Sequence, residues 1–183
     1  MNAAAFVVGP REGSGAALYD LAIGVGFTSV QYYRSVAEAE RQATHIPLCF
    51  FLFAEVADLR RPEAAAQAIR FAGGRRVRFS PLIYFCRNPS VEIIRRCVAQ
   101  GFDDVITAPF SLERIAPRLM RQIDTELVYY ETSSYFGPDR RRQFEELPGQ
   151  LERRGEGQYR RLEIVRHVAT GVNVLRDDQR VVL

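Results

Sequence analysis

The segment SPLIYFCRNPSVEIIRRCVAQGFDDVITAPFSLERIAPRL, residues 80–119, decides the fold class of this chain. The apolar run at residues 80–86 predicts a buried β-strand. Residues 90–100 predict an amphipathic helix, because they begin with a serine that can cap the helix and are followed by a glycine that can end it. Residues 105–107 predict a short strand, and residues 111–123 a last helix. Strands that alternate with helices are typical of a parallel sheet.

The same alternation extends to the amino terminus of the chain. Three more strand–helix units are predicted, with strands at residues 4–8, 28–33 and 47–53 and helices at residues 14–23, 36–43 and 62–71. The run PLCFFLF at 47–53 is apolar on every side, as expected of a central strand that is covered on both faces. The fold class predicted for residues 1–123 is therefore α/β, with a doubly wound, five-stranded parallel sheet.

Composition narrows the classes of function. Hydrophobic residues make up 47% of the 183 residues and charged residues 26%, the balance of a soluble globular protein. No window reaches the roughly 18 to 20 apolar residues of a membrane span, and the start of the chain does not resemble a signal peptide, so we expect a cytoplasmic protein. The 3 cysteines include no C-x-x-C pair, and the 2 histidines are far apart in sequence, which argues against a metal site.

The basic residues exclude further chemistry. All 25 are arginine, so reactions that need a lysine amine, such as Schiff-base formation or phosphate binding by a P-loop, are excluded. Residues 1–123 carry 15 arginines and 11 acidic residues, a net charge of +4, whereas residues 124–183 carry 10 and 11, a net charge of −1. Neither part has the strongly basic face of a DNA-binding protein.

Residues 101–110, GFDDVITAPF, carry a resemblance to a known family. They resemble the segment G-A-D-D-Y-I-x-K-P-F of response-regulator receiver domains, with the glycine, both aspartates, the isoleucine and Pro-Phe in register. The resemblance is specific over residues 81–123 and rests on the order of elements over residues 4–80. It implies the flavodoxin-like receiver fold and a role in bacterial two-component signal transduction.

The residues that carry receiver chemistry are absent. The acidic pair that holds Mg²⁺ corresponds to Gly9 and Pro10, and the phosphoacceptor aspartate to Leu52 or Phe53. The hydroxyl residue of the fourth strand, the switch aromatic and the lysine of the fifth strand correspond to Cys86, Val105 and Ala108. An aspartyl phosphate needs an aspartate, and Mg²⁺ needs carboxylate oxygens. We therefore interpret the domain as a pseudo-receiver with no catalytic activity and no cofactor.

Three features have competing interpretations. The glycines of residues 9–15, GPREGSG, resemble the cofactor loop of short-chain dehydrogenases, but the absent lysine favours a turn that leads into the first helix. Cys86 lies at a strand end where enzymes of this class place reactive groups, but a packed apolar residue is favoured over a nucleophile. Residues 75–78, RRVR, are interpreted as a solvated loop rather than an edge for partner docking.

The segment 124–183 is predicted to be an Arg-rich extension. Apolar residues at steps of three and four over residues 159–175 predict an amphipathic helix, which folds back, pairs with a second subunit or docks on a partner. Residues 133–142, SSYFGPDRRR, combine aromatic rings with guanidinium groups that bind phosphates. The residues of a cyclic di-guanylate site would be Tyr135, Phe136, Arg140, Arg141 and Arg142. The competing interpretation is that these arginines form surface ion pairs with nearby glutamates.

The leading hypothesis is a non-catalytic, phosphorylation-independent signalling adaptor that acts by protein–protein contact. The alternative is an effector that responds to cyclic di-guanylate through its tail arginines. We also expect a homodimer, formed by the fourth helix, fifth strand and fifth helix of the receiver-like domain. Opposite charges on this face would pair between subunits, with Arg95, Arg96, Asp103, Asp104, Glu113 and Arg118 as its charged residues. Val165, Val168 and Val172 of the tail would add apolar contact.

Overall fold

A computed structural model describes residues 1–139 and 157–182. Its first sheet has five parallel strands in the order β2-β1-β3-β4-β5. These strands are β1 (Ala4–Val8), β2 (Ser29–Tyr32), β3 (Cys49–Phe53), β4 (Leu82–Cys86) and β5 (Asp104–Thr107). This strand order is that of flavodoxin-like doubly wound folds, so the predicted fold class is confirmed.

Six helices surround or flank this sheet in the part of the chain that the structure describes. They are α1 (Ser14–Val25), α2 (Val36–His45), α3 (Arg60–Ala72), α4 (Arg75–Arg78), α5 (Val91–Ala99) and α6 (Leu112–Met120). Ser90 begins α5 as predicted, since its side chain accepts a hydrogen bond from the backbone N–H of Ile93. The segment 75–78 is not an open loop but a single helical turn that buries Val77. No described helix is long and apolar enough to cross a bilayer.

The parallel sheet separates two apolar cores. Alternate residues of β3 enter opposite cores, with Leu52 on one side and Phe53 on the other. Every residue of β1, β3 and β4 is buried. This double coverage explains why the sequence of a central strand is apolar at each position and not only at every second one.

The extension folds into a second sheet, so the prediction of an amphipathic helix at residues 159–175 is wrong. This antiparallel sheet has the order β7-β6-β8-β9. Its strands are β6 (Leu127–Glu131), β7 (Phe136–Pro138), β8 (Gly157–His167) and β9 (Gly171–Val182). The apolar residues that suggested one helix belong to two strands of a hairpin and to the turn between them, and Gly171 adopts a positive φ of 79° at the start of β9.

The second sheet packs at the amino-terminal edge of the parallel sheet. Phe79, just before β4, lies in one core with Tyr129, Phe136 and Leu162 of the antiparallel strands. The extension therefore folds back onto its own chain. Val165 and Val172 are buried within the chain, so the prediction that these two valines contact a second subunit is wrong. Val168 is half-buried against the first core of the parallel sheet, and its contact with a second subunit stays a prediction.

Candidate functional site

The carboxyl edge of the parallel sheet is where a receiver-like fold places its chemistry. The register pairs Val8 with Phe53, so the ends of β1 and β3 lie side by side there. The side chains of Leu52 and Phe53, the two candidates for the phosphoacceptor position, are buried in the two cores. Neither of them presents a group to solvent at this edge, and neither has an atom that could accept a phosphoryl group.

Close packing also occupies the position of the acidic pair. A Cβ atom added at Gly9 would lie 2.8 Å from the Cβ of Ala54, which follows β3. A side chain at Gly15 would overlap the carbonyl oxygen of Pro10, because α1 begins directly against this loop. The glycines of residues 9–15 therefore allow backbone and side chains of the same chain to meet. This supports the interpretation of the segment as a turn rather than as a dinucleotide-binding loop.

Cys86 ends β4 at this edge, and it is fully buried. Burial is the main cause that raises the pKa of its thiol to about 11, and the negative charge of Glu55 raises it further. Burial likewise raises the pKa values of Cys49 and Cys97 to about 12. Because the thiolate is the nucleophile, these values describe inert core residues, as the sequence analysis favoured.

Glu55 is a carboxylate at this edge that sequence analysis missed. One of its carboxylate oxygens accepts a hydrogen bond of 3.2 Å from the backbone N–H of Arg87, and its carbonyl oxygen accepts one of 2.7 Å from the hydroxyl of Ser14. The available signal was its position two residues after the buried run PLCFFLF. A single carboxylate bound to a backbone N–H holds the loops together but does not form the oxygen cage that Mg²⁺ requires.

The residues of the family-like segment 101–110 have structural roles. Asp104 forms an ion pair with Arg118, and the Phe110 ring packs edge-on against Phe85 at 5.7 Å between centroids. Val105 is half-buried against the second core, and Ala108 is half-buried where the chain leaves β5 through a cis peptide bond to Pro109. Six of the seven positions compared with receiver residues thus carry no acid, base or nucleophile, and the seventh holds the buried thiol of Cys86.

Comparisons with known proteins found similar solved structures. No protein-family profile and no curated protein matches the chain. Three similar solved structures are the receiver domain of a sensor histidine kinase from Pseudomonas aeruginosa, a two-component response regulator from Clostridium difficile and a response regulator in red light signaling of R. palustris. They are 22%, 16% and 13% identical, with TM-scores of 0.45, 0.45 and 0.47. The aligned region covers 65%, 64% and 67% of this chain and 94%, 93% and 94% of the three structures.

The amino edge of the parallel sheet, by contrast, holds a cluster of charged side chains, which we call the Asp103 network. It consists of Asp103, Arg70 of α3, Arg166 of β8 and Tyr129 of β6. Both arginine side chains are 0% exposed and that of Asp103 is 2% exposed. Arg70 and Arg166 each donate to one oxygen of Asp103 at 2.7 Å, and the hydroxyl of Tyr129 donates to the oxygen that Arg166 contacts.

The two arginines use their remaining N–H groups on backbone and amide oxygens. Arg70 donates to the carbonyl oxygens of Gly101 and Ser80, and Arg166 to the carbonyl oxygen of Phe79 and the side chain of Gln122, at 2.6–3.1 Å. Burial alone would raise the pKa of Asp103, but the charges of Arg166 and Arg70 outweigh it and the pKa is lowered. The Asp103 network joins the two sheets as a buried, hydrogen-bonded ion cluster.

The residues predicted to bind a cyclic dinucleotide divide into two groups. Phe136 is 1% exposed, packs against Phe79 at 4.9 Å between ring centroids, and has the guanidinium of Arg78 over its ring at 3.8 Å. Tyr135 is buried, and its hydroxyl donates a hydrogen bond of 2.7 Å to the carbonyl oxygen of Pro138. Both rings therefore belong to the packing of the second sheet. Arg140, Arg141 and Arg142 lie outside the described residues.

The predicted dimer face also has contacts of its own. It was predicted to use Arg95, Arg96, Asp103, Asp104, Glu113 and Arg118. Asp103 is buried within the chain, Asp104 pairs with Arg118, and Arg96 pairs with Glu63 of α3 at 2.7 Å. Most of the charges that were expected to pair between subunits are thus paired within one subunit.

Proposed function

We propose that this protein is a non-catalytic signalling adaptor of the bacterial cytoplasm that acts by protein–protein contact, without phosphorylation. The observation that carries the proposal is the packing of the carboxyl edge, where Gly9 meets Ala54 and the side chains of Leu52 and Phe53 point into the cores. A receiver-like fold that keeps its architecture and lacks every group for phosphoryl transfer retains surfaces as its means of action.

Exposed apolar side chains on α1 and α6 support a role in protein contact. Ile23, Leu112 and Met120 are 56%, 45% and 53% exposed. The two helices adjoin, because the side chain of Leu112 lies against Gly24 of α1. A contiguous patch of exposed apolar side chains is typical of interaction sites. We propose that this surface, rather than the charged face predicted from sequence, forms the homodimer contact.

Phosphoryl transfer to the chain tests the absence of catalysis. Incubation with acetyl phosphate and Mg²⁺ is expected to leave the intact mass unchanged, because no described side chain at the carboxyl edge accepts a phosphoryl group in the receiver manner. A receiver domain that has its aspartate serves as the positive control in the same reaction. A Mg²⁺-dependent mass gain of one phosphoryl group would overturn the proposal.

Light scattering tests the surface. We expect a dimer at tens of micromolar, on the order of concentrations where weak dimers form, and a monomer for Leu112→Glu/Met120→Glu. The variant Arg95→Glu/Glu113→Arg is the matched control on the face predicted from sequence, and it is expected to remain dimeric. A monomeric wild type, or dissociation only by the control variant, would contradict the assignment.

The alternative function, an effector that responds to cyclic di-guanylate, stays a prediction carried by Arg140, Arg141 and Arg142. Calorimetric titration of cyclic di-guanylate into the wild type and into Arg140→Ala/Arg141→Ala/Arg142→Ala tests it directly. Heat from the wild type alone would support it, and no heat from either protein would leave the adaptor as the function. The expected result under the adaptor hypothesis is no heat from either.

A further inference from the structure

A cleft lies between the Gly73–Gly74 turn with helix α4 and the inner face of the antiparallel sheet, and we call it the interface cleft. Its volume is about 540 Å³, within the range of small-molecule sites. Its described lining residues are Gly73, Gly74, Arg75, Arg78, Phe79, Glu131, Arg160, Leu162, Val174 and Asp177. Neither the carboxyl-edge site nor the α1–α6 surface includes any of them.

The sequence builds the two walls of the cleft separately. The two glycines end α3, Val77 anchors the single turn of α4 in the second core, and Arg75 and Arg78 of this turn line the cleft. On the opposite wall, alternate residues of β8 place Arg160 and Leu162 on the same side of the sheet. The cleft therefore exists only because the extension folds back onto the parallel-sheet domain.

The charged residues of the cleft leave an excess of positive charge. Three arginines, Arg75, Arg78 and Arg160, face two carboxylates, Glu131 and Asp177, for a net charge of +1 among the described lining residues. Glu131 accepts from Arg78 at 2.7 Å and from Arg160 at 3.3 Å, and Asp177 accepts from Nε of Arg160 at 2.6 Å. The carboxylates thus hold two of the guanidinium groups in place at the cleft.

Guanidinium N–H groups remain available on Arg75 and Arg160. The side chain of Arg75 is exposed and makes no hydrogen bond or ion pair with any described residue. Arg160 donates through Nε, Nη1 and Nη2 to the two carboxylates, which leaves the second N–H of each terminal nitrogen. The Nε of Arg78 has no hydrogen-bond partner among the residues that the structure describes, but it is buried and is not one of the donors open to a ligand. A guanidinium with unused, exposed donors is a strong binder of phosphate.

The floor of the cleft is apolar. Phe79, Leu162 and Val174 line it, and the first two are buried in the core of the second sheet. A ligand that matches this arrangement has an anionic group at the arginines and an apolar body over the floor. All three cations are arginines, which bind the oxygens of phosphates and carboxylates in a bidentate manner, and phosphate offers the larger charge and the larger number of acceptor oxygens.

We propose that the interface cleft binds a small organic phosphate with an apolar body, and that Arg75 and Arg160 contact its phosphate. A ligand bound there contacts both the parallel-sheet domain and the antiparallel sheet. Binding therefore stabilises the docked arrangement of the two sheets, since a ligand that binds only the folded form adds to its stability.

Phenyl phosphate is the probe that tests this proposal, with inorganic phosphate and benzyl alcohol as the probes that lack the apolar body and the anion. In ¹H–¹⁵N NMR titrations of the full chain we expect saturable shifts of the backbone amides of Gly73 and Gly74 with phenyl phosphate. Inorganic phosphate is expected to bind more weakly at the same residues, and benzyl alcohol not to bind.

Variants separate the cleft from general attraction of anions. Arg75→Gln/Arg160→Gln is expected to weaken phenyl phosphate binding by about tenfold or more, since two charge-assisted contacts are lost. Arg76→Gln is the matched control, because Arg76 belongs to the same helical turn but donates to the carbonyl oxygen of Ala43, outside the cleft. It is expected to bind as the wild type does.

Three results would overturn the proposal. The first is no saturable shift with phenyl phosphate up to about 10 mM, beyond the range of weak specific binding. The second is equal weakening by Arg76→Gln, which would mean that only the net charge matters. The third is binding of inorganic phosphate as tight as that of phenyl phosphate, which would show an adventitious ion only.

Discussion

The two ends of the parallel sheet differ in where charge is found. At the carboxyl edge, small and apolar residues pack closely, and Glu55 is bound to a backbone N–H. At the amino edge, Asp103 and two fully buried arginines form an ion cluster that reaches the second sheet. Asp103, the first of the two aspartates in the segment 101–110, is thus part of the contact between the two sheets and not of a reactive site.

This difference shows how one fold supports two uses. A catalytic edge needs polar groups that remain open to a ligand, whereas a docking edge needs polar groups that satisfy one another away from water. The described residues at the carboxyl edge lack the first property, and those at the amino edge have the second. A substitution at one edge of the parallel sheet leaves the residues of the other edge unchanged. Single substitutions can therefore test this comparison between the two edges.

The largest effect is expected for Asp103→Asn. The substitution leaves Arg70 and Arg166 buried beside a neutral amide, and removal of one member of a buried ion pair costs about 3–5 kcal/mol of folding free energy. The measurement is chemical denaturation of both proteins monitored by circular dichroism. A variant that does not fold at all agrees with this expectation.

Asp104→Asn is the matched control for that measurement. Asp104 is the next residue, and its ion pair with Arg118 is partly exposed, with the side chains 21% and 37% accessible. Pairs of this kind contribute about 0–1 kcal/mol. Equal losses for Asp103→Asn and Asp104→Asn would contradict the special role assigned to the Asp103 network.

A smaller effect is expected from acid. The pKa of Asp103 is lowered in the folded chain, so below the ordinary aspartate pKa of about 4 the unfolded state binds a proton before the folded state does. The contribution of Asp103 to stability is therefore complete above pH 4 and is lost as the pH falls through its folded pKa. Denaturation midpoints measured between pH 7 and pH 3 check this.

The Asp104→Asn protein, in which the Asp103 network is intact, is expected to show the same decline in acid as the wild type. A wild-type midpoint that stays constant down to pH 3 would contradict the linkage. So would a midpoint that rises as the pH falls from 5 to 3, because a raised folded pKa of Asp103 would make the folded state bind the proton first.

Sequence patterns predicted the parallel sheet because each strand carries its own signal. PLCFFLF is apolar at every position because β3 is covered on both faces, and this is visible without knowledge of its neighbours. In the second sheet, the spacing of apolar residues predicted an amphipathic helix where the chain forms two strands, and there is a physical reason for this error. Val165, Val168 and Val172 lie at helical spacing along the chain but belong to a hairpin and its turn, so their periodicity does not belong to a single element.

The candidate sites were less predictable, since they depend on which residues the fold brings together. Arg70 and Arg166 are 96 positions apart and meet at one carboxylate, a juxtaposition that no local pattern indicates. Buried arginines are rare, so an arginine at position 166 in an apolar stretch was the one available signal. The aromatic residues Tyr135 and Phe136 were identified as notable, but their burial follows from Phe79 and Pro138, which sequence spacing does not place beside them.

The smallest effect is expected at the carboxyl edge, where Glu55→Gln removes the carboxylate beside Cys86. Burial is the larger cause that raises the pKa of Cys86 to about 11, and the charge of Glu55 is the smaller one. With that pKa, about one thiol in a thousand is ionised at pH 8, too few for rapid alkylation. We therefore expect both the wild type and Glu55→Gln to react slowly with iodoacetamide in the folded state.

Mass spectrometry of peptides after a timed pulse measures the reaction at each cysteine. Denatured protein, in which all three thiols are free and exposed, gives the reference rate. Rapid native labelling confined to Cys86 would show a reactive thiol at the edge and would remove the contrast between the two ends of the sheet.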